Sequence, residues 1–310
     1  MNLLIVNYHY VREIKSGRGI YPITSAELTA QIDLLAGKYK FISQSDLSAF
    51  IAKGSYPDGD FCLLTFDDGL KEQIKAFEIL REKGIPGIFF VSTMPIRDRK
   101  ACAVHKFHYV MEQMTHEQLN SCLLQFFPES CDRLKDLEFL NIAVSKYIFD
   151  QPDQALVKFY VNYVLNSDEK KSFVDKLFSI LVDEEDNFVE KLYMNKSEVI
   201  KIANAGMLGS HCNSHEPLGA LTDFNIDLEL RDSRLVLEEI TGQSIYSVSY
   251  PFGDKKAVTQ KVKELAKKHY SLGITTASGI NYTKDILKDP MSLKRISTTS
   301  LTKGDFANHI

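Results

Sequence analysis

Both ends of this chain alternate short β-type apolar runs with amphipathic helical stretches, and that alternation restricts the fold to a parallel α/β barrel or open sheet. After the opening run Leu3–Val6, Thr24-Ser25-Ala26-Glu27 has the form of a capping box. Leu28, Ile32, Leu34 and Leu35 then follow at mostly helical spacing until Gly37. A short helix is expected over Ser45–Lys53, and after the polar turn Tyr56-Pro57-Asp58-Gly59 a strand over Phe61–Phe66. A helix over Lys71–Lys83, stopped by Gly84, leads into the run Ile85–Val91 and completes a βαβ unit. The pattern resumes with a helix from Asn195 closed by Gly206, a strand at Leu208–Ser210 and a helix near Asp227–Thr241. A strand at Ser247–Tyr250, a helix over Val258–Lys268 and a strand at Ser271–Thr275 complete it.

Between residues 98 and 193 the alternation gives way to helix-like segments rich in Phe, Leu and Tyr, such as Phe173–Leu181. The expected organisation is therefore an α/β domain built from residues 1–97 and 194–310, with a helical insertion at 98–193. The insertion follows the strand after Asp67-Asp68, which places it near the rim of any site there, although its apolar stripes suit internal packing. With 44% apolar residues in 310, a substantial core is affordable, and 37 Lys+Arg against 41 Asp+Glu give no basic surface for nucleic acid. Apolar runs fall far short of the roughly 20 residues a membrane-spanning helix needs. The opening Met1-Asn2-Leu3-Leu4-Ile5-Val6-Asn7-Tyr8-His9 has no basic start, long apolar stretch or small-residue cleavage site, so a cytoplasmic location is expected. The five cysteines form no CxxC pair, which fits reduced thiols rather than disulfides or a thiolate zinc site.

Three strand ends carry residues with chemistry. Thr65-Phe66-Asp67-Asp68-Gly69 delivers two adjacent carboxylates to the C-terminal end of a strand, the edge on which barrel enzymes place their sites. Asp-Gly also suits a plain turn, but neighbouring carboxylates repel unless a cation or a shared proton relieves them. His211-Cys212-Asn213-Ser214-His215 sets two imidazoles four residues apart, so that one helical turn would aim both at one point. Cys212 stands where a zinc protease HExxH motif needs glutamate. Ser249-Tyr250-Pro251-Phe252-Gly253-Asp254 ends a third strand with a Pro-Gly turn able to aim a backbone N–H into a cleft.

Together, Thr65-Phe66-Asp67-Asp68-Gly69, His211-x-x-x-His215 and Tyr250-Pro251-Phe252-Gly253 resemble the pattern of the polysaccharide deacetylase family (NodB homology, carbohydrate esterase family 4). Tyr8-His9-Tyr10-Val11 is similar to the YHxV opening of the poly-N-acetylglucosamine branch, and family-like sequence covers about residues 1–97 and 194–300. The resemblance implies a distorted (β/α) barrel, with a divalent metal, zinc first among the options, held by Asp68, His211 and His215. It also implies Asp67 as general base, the Phe252 backbone N–H at the oxyanion and His9 as general acid. The implied activity is metal-dependent hydrolysis of an N-acetyl or other N-acyl group on an amino sugar or saccharide, formyl removal included. A three-ligand metal with an open position would polarise the amide carbonyl and acidify a bound water to a pKa of about 7.

The chain also departs from the family. Ser249 stands where many members carry an arginine that braces the base, which leaves the orientation of Asp67 without a source. After Gly253 only His269 and His309 remain as C-terminal acid candidates. A non-catalytic carbohydrate-binding barrel is the alternative these departures suggest. A glycosidase would need carboxylates about 5–10 Å apart across the bond, which adjacent Asp67 and Asp68 do not readily provide.

Overall fold

The computed structural model describes residues 1–14, 20–148 and 150–298. They fall into two compact units, one of residues 1–14, 22–100 and 189–298, the other of residues 20–21, 101–148 and 150–188.

The first unit holds the strands β1 (Asn2–Tyr8), β2 (Lys40–Phe41), β3 (Asp60–Phe66), β4 (Gly87–Val91), β5 (Leu208–Ser210), β6 (Ser247–Ser249), β7 (Leu272–Ile274), β8 (Asn281–Tyr282) and β9 (Ile296–Ser297). Their order is β7-β6-β5-β4-β3-β1-β8, with β2 added to β3 and β9 to β1, and among the described residues this path does not close on itself. β1 and β8 pair antiparallel, and the ladders joining β1, β3, β4, β5, β6 and β7 are parallel. The result is a parallel, curled half-barrel with helices, in agreement with the alternation of the sequence.

A parallel sheet covered on both faces needs apolar side chains in both directions, which explains the nearly unbroken runs. Leu4, Val6 and Tyr8 of β1 join Leu64, Phe66, Phe89 and the helix residues Leu28, Ile32, Phe77 and Leu80 in one core. The intervening Leu3 and Ile5 join Leu63, Ile88, Phe90, Leu272 and Ile274 in another, as the two-residue period of a strand requires. Local signals set several helix boundaries. Thr24 and Glu27 form the capping box of the helix Ser25–Ala36, and Asn195 with Glu198 does the same for Lys196–Asn204. Gly84 ends Gln73–Lys83 in the left-handed conformation.

Some elements differ from expectation. The helix Asp223–Thr241 begins about one turn earlier than the apolar spacing indicates, because Thr222 caps it by accepting the Asn225 N–H. The two-residue strands β2, β8 and β9 are too short to show any period and exist only as additions to neighbours.

The second unit is helical, with Ala103–Gln113, His116–Phe126, Leu137–Lys146, Pro152–Phe159 and Ser167–Leu181 as its main helices. Its own core gathers Phe107, Val110, Leu123, Phe139, Val161, Phe173 and Leu177. Among the described residues no helix is long and apolar enough to cross a membrane.

Candidate metal centre

Register brings the chemistry together. β1 and β3 pair from Asn2↔Asp60 to Tyr8↔Phe66, so their next residues, His9 and Asp67, leave the sheet side by side. Val91 of β4 pairs with Ser210 of β5, and Ser210 with Val248 of β6, which brings His211 level with Ser249. His211 Nδ1 lies 2.7 Å from the Ser249 carbonyl. These are C-terminal ends of parallel strands, the edge on which parallel barrels carry their sites.

Asp68, His211 and His215 form a buried cluster whose ligand atoms all lie within 4.8 Å of one another. Asp68 Oδ1 is 3.3 Å from His211 Nε2 and 3.2 Å from His215 Nε2. The Ser249 carbonyl can only accept, so the His211 Nδ1 that meets it carries the proton, and in the neutral ring Nε2 presents a lone pair to the centre. A lone pair facing a carboxylate at this distance is repulsive unless a cation or a proton lies between them. Burial by itself would lower the pKa of His211, but the negative charges of Asp67 and Asp68 and the Ser249 carbonyl raise it. The same field favours a cation at this point, and one carboxylate with two imidazoles is a donor set that suits a first-row divalent ion.

The histidines do not sit on a helical turn. Residues 211–215 are irregular, with Cys212 at φ 60° and His215 at φ 64°, so backbone reversals rather than helical spacing make the rings converge. Asp68 (φ 82°) and Phe252 (φ 62°) are left-handed too, and these are four of the five non-glycine residues with positive φ among the described residues. Each such conformation costs about 1–3 kcal/mol and persists only where its surroundings enforce it. Gly69 follows Asp68 at φ 65°, and a Cβ there would stand 3.0 Å from Val91 Cγ1, so the turn after the acidic pair needs glycine.

Asp67 is 1% exposed and is gripped by Arg295, whose Nη1 donates to Oδ1 at 2.9 Å and Nη2 to Oδ2 at 2.5 Å. The Ser249 hydroxyl donates to Oδ2 at 3.2 Å and Asn7 Nδ2 at 3.4 Å. Burial pushes the Asp67 pKa up, but the Arg295 charge and hydrogen bonds, with His211 and His9, hold it down at about 2. Arg295 is the residue the sequence did not disclose. It precedes the two-residue β9 beside β1, and no motif marks it. Its guanidinium gives Asp67 a two-point contact, where Ser249 offers a single hydroxyl.

His9 Nε2 lies 3.9 Å from Asp67 Oδ2, with its side chain 42% exposed. Gln73 Nε2 donates to the carbonyls of both His9 (2.8 Å) and Asp67 (2.5 Å), tying the two strand ends together. The Phe252 ring packs edge-on against His215 at 5.3 Å between centroids. Cys212 is fully buried within the apolar core, apart from the ligand cluster. His269 is engaged by Asp227 at 2.9 Å, and His309 lies outside the described residues.

A sequence model of the polysaccharide deacetylase family matches residues 171–271, a span that includes both histidines and the Pro-Phe-Gly turn but not the Asp pair. No curated protein matches the chain by sequence. Among solved structures, Streptococcus pyogenes deacetylase PplD in complex with acetate is similar at TM-score 0.60 and 15% identity, over 96% of this chain and 92% of that one. IcaB from Ammonifex degensii gives 0.59 and 16%, over 99% and 94%. The deacetylase domain of BpsB from Bordetella bronchiseptica gives 0.56 and 14%, over 96% and 95%. At these identities the structural likeness bears on fold. The chain thus matches the polysaccharide deacetylase family over residues 171–271 and has the fold of a NodB-type (β/α) barrel.

Proposed function

We propose that this protein is a metal-dependent N-deacetylase acting on an N-acetylated amino sugar or saccharide. The observation that carries this reading is the convergence of Asp68, His211 and His215 beside a separate carboxylate, Asp67, kept ionised by Arg295. A divalent ion bound by Asp68, His211 and His215, with zinc the first expectation, would polarise the amide carbonyl and acidify a water enough for so weak a base as Asp67.

The chain's own groups supply the rest. Asp67 Oδ1 accepts from Arg295 and retains a lone pair on which to take a proton, while its other oxygen is occupied by Arg295, Ser249 and Asn7. The fork of Arg295 fixes the plane of that carboxylate. In this reading the Phe252 N–H, in the left-handed turn after Pro251, donates to the oxygen that gains negative charge. His9, at the solvent-facing end of β1, gives the leaving amine its proton. This role for His9 draws on the similarity of Tyr8-His9-Tyr10-Val11 to the poly-N-acetylglucosamine branch.

The test is product analysis on N-acetylglucosamine oligomers and N-acetylated sugar nucleotides, with and without chelator. Free amine and acetate released in equal amounts, and lost on chelation, are expected. New reducing ends would indicate glycosidase action instead, and formate from N-formyl substrates a deformylase. Bound metal with no release from any of these substrates would favour a carbohydrate-binding barrel.

A further inference from the structure

The segment 211–215 has to hold two imidazoles at one point although it lies outside helix and strand, and the ladder reaches only its first residue, through the His211 N–H to the Val91 carbonyl at 2.9 Å. On one side the exit of β4 secures it. The Thr93 N–H donates to the Cys212 carbonyl at 3.2 Å, the Met94 N–H to the Asn213 carbonyl at 3.0 Å, and Thr93 Oγ1 to Asn213 Oδ1 at 2.9 Å. All of these use acceptors of the loop. Its donors divide: the His211 N–H reaches the Val91 carbonyl and the Cys212 N–H reaches Ser210 Oγ at 3.3 Å, while those of Asn213 and Ser214 turn toward Glu229. Oε2 of Glu229 accepts the N–H groups of Asn213 and Ser214, each at 2.9 Å, and Oε1 accepts the Ser214 hydroxyl at 2.7 Å. Successive N–H groups converging on one oxygen form the concavity that elsewhere binds a free anion, and bonds to a charged acceptor are roughly twice as strong as neutral ones. Here the anion belongs to the protein. It stands on the 19-residue helix Asp223–Thr241, whose buried Ile226 and Leu230 anchor that turn in the core.

We propose that Glu229 is a positioning residue for the metal centre. Its carboxylate pins Asn213-Ser214, so that the next residue, His215, is kept in its left-handed conformation with Nε2 directed at Asp68 Oδ1. Cys212 and His215 flank the pinned dipeptide in conformations that most side chains avoid. An exposed loop would relax from them, since water can satisfy the same N–H groups without fixing their direction. The proposal rests on the metal-centre reading above and assigns Glu229 to preorganising it, with no contact to substrate.

The experiment measures Zn²⁺ affinity directly, by competition with a chromogenic chelator, alongside the thermal midpoint of the metal-free protein. Glu229→Ala is expected to weaken Zn²⁺ binding about tenfold or more, the range found when groups supporting metal ligands are removed. Glu229→Gln should stay within a few-fold of wild type, because its oxygen can accept both N–H groups and its amide can donate to the Ser214 hydroxyl. Zn²⁺ affinity of Glu229→Ala within about twofold of wild type, whatever its thermal midpoint, would overturn the proposal. Should Glu229→Ala not fold, Ser214→Ala decides. It removes one of the contacts, and weakened binding supports the clamp whereas unchanged binding overturns it. A wild-type protein that takes up no Zn²⁺ would overturn the metal centre itself, a result distinct from equal binding by wild type and variant.

Discussion

Asp67 and Arg295 stand 228 positions apart and form a bidentate pair in which both side chains are almost wholly buried. A buried pair of this kind is costly to break from either side, because the survivor is left as an unpaired charge. Arg295→Met should therefore lower stability by about 3–5 kcal/mol in denaturant titration, and Arg295→Lys should recover only part of the loss because an ammonium cannot match the two-point fork. Asp67→Asn keeps the shape but removes the carboxylate that the proposed reaction uses as proton acceptor. We expect turnover to fall by about 10²–10⁴-fold while Zn²⁺ uptake persists, since the proposed ligands Asp68, His211 and His215 remain. His9→Ala should likewise slow turnover without loss of metal. A loss of metal in either variant would show that these residues hold the centre rather than act on substrate. The adjacent carboxylates of the sequence thus have unlike environments. One is neutralised by an arginine, and the other faces two imidazoles.

At the scale of elements, strand register does what no single residue can. The β1–β3 ladder sets His9 beside Asp67, and the β4–β5–β6 ladders set His211 beside Ser249. Close packing maintains that register. A Cβ on Gly209 would lie 2.4 Å from Phe90 Cε1 and 2.8 Å from Ser247 Oγ, so β5 fits between its neighbours only with glycine there. Gly209→Ala should cost about 1–3 kcal/mol in thermal or denaturant unfolding and weaken Zn²⁺ binding as well, because His211 lies two residues beyond. Unchanged stability would mean that β5 shifts freely. Strands and helices of this unit were largely legible because burial on alternating faces and capping signals act locally. Among the elements that escaped, the strands β2, β8 and β9 are held by pairing with partners distant in sequence.

At the scale of the molecule, the helical unit has an apolar core of its own, and an ion-paired cluster fastens it. Lys106 Nζ lies 2.7 Å from Asp175 Oδ1 and 2.9 Å from Glu185 Oε1. Burial pushes the Asp175 pKa up, but hydrogen bonds and charge from Lys106 and Lys171 outweigh it and leave the pKa below its ordinary value. A carboxylate depressed by folding contributes stability that is fully present above its unfolded pKa of about 3.9 and fades as pH falls through the lower folded value. Acid unfolding followed by circular dichroism should accordingly show a steeper limb below about pH 4 in the wild type than in Asp175→Asn, and identical limbs would remove this pair from the account.

The sequence by itself determined the alternating α/β pattern and the helical character of the intervening segment, and it offered Asp68, His211 and His215 as a candidate cluster, because hydrophobic period, caps and reactive residue types are local properties. It did not determine how His211 and His215 come to share a point. Four-residue spacing suggested a helical turn, and the fold uses left-handed backbone instead, braced by Thr93 and Glu229. Nor did it disclose Arg295, since a lone arginine before a two-residue strand carries no periodicity and gains its meaning only when β9 closes on β1. Which charges meet across a buried cleft is a long-range matter, settled by sheet order and register, and only the tertiary structure decided it.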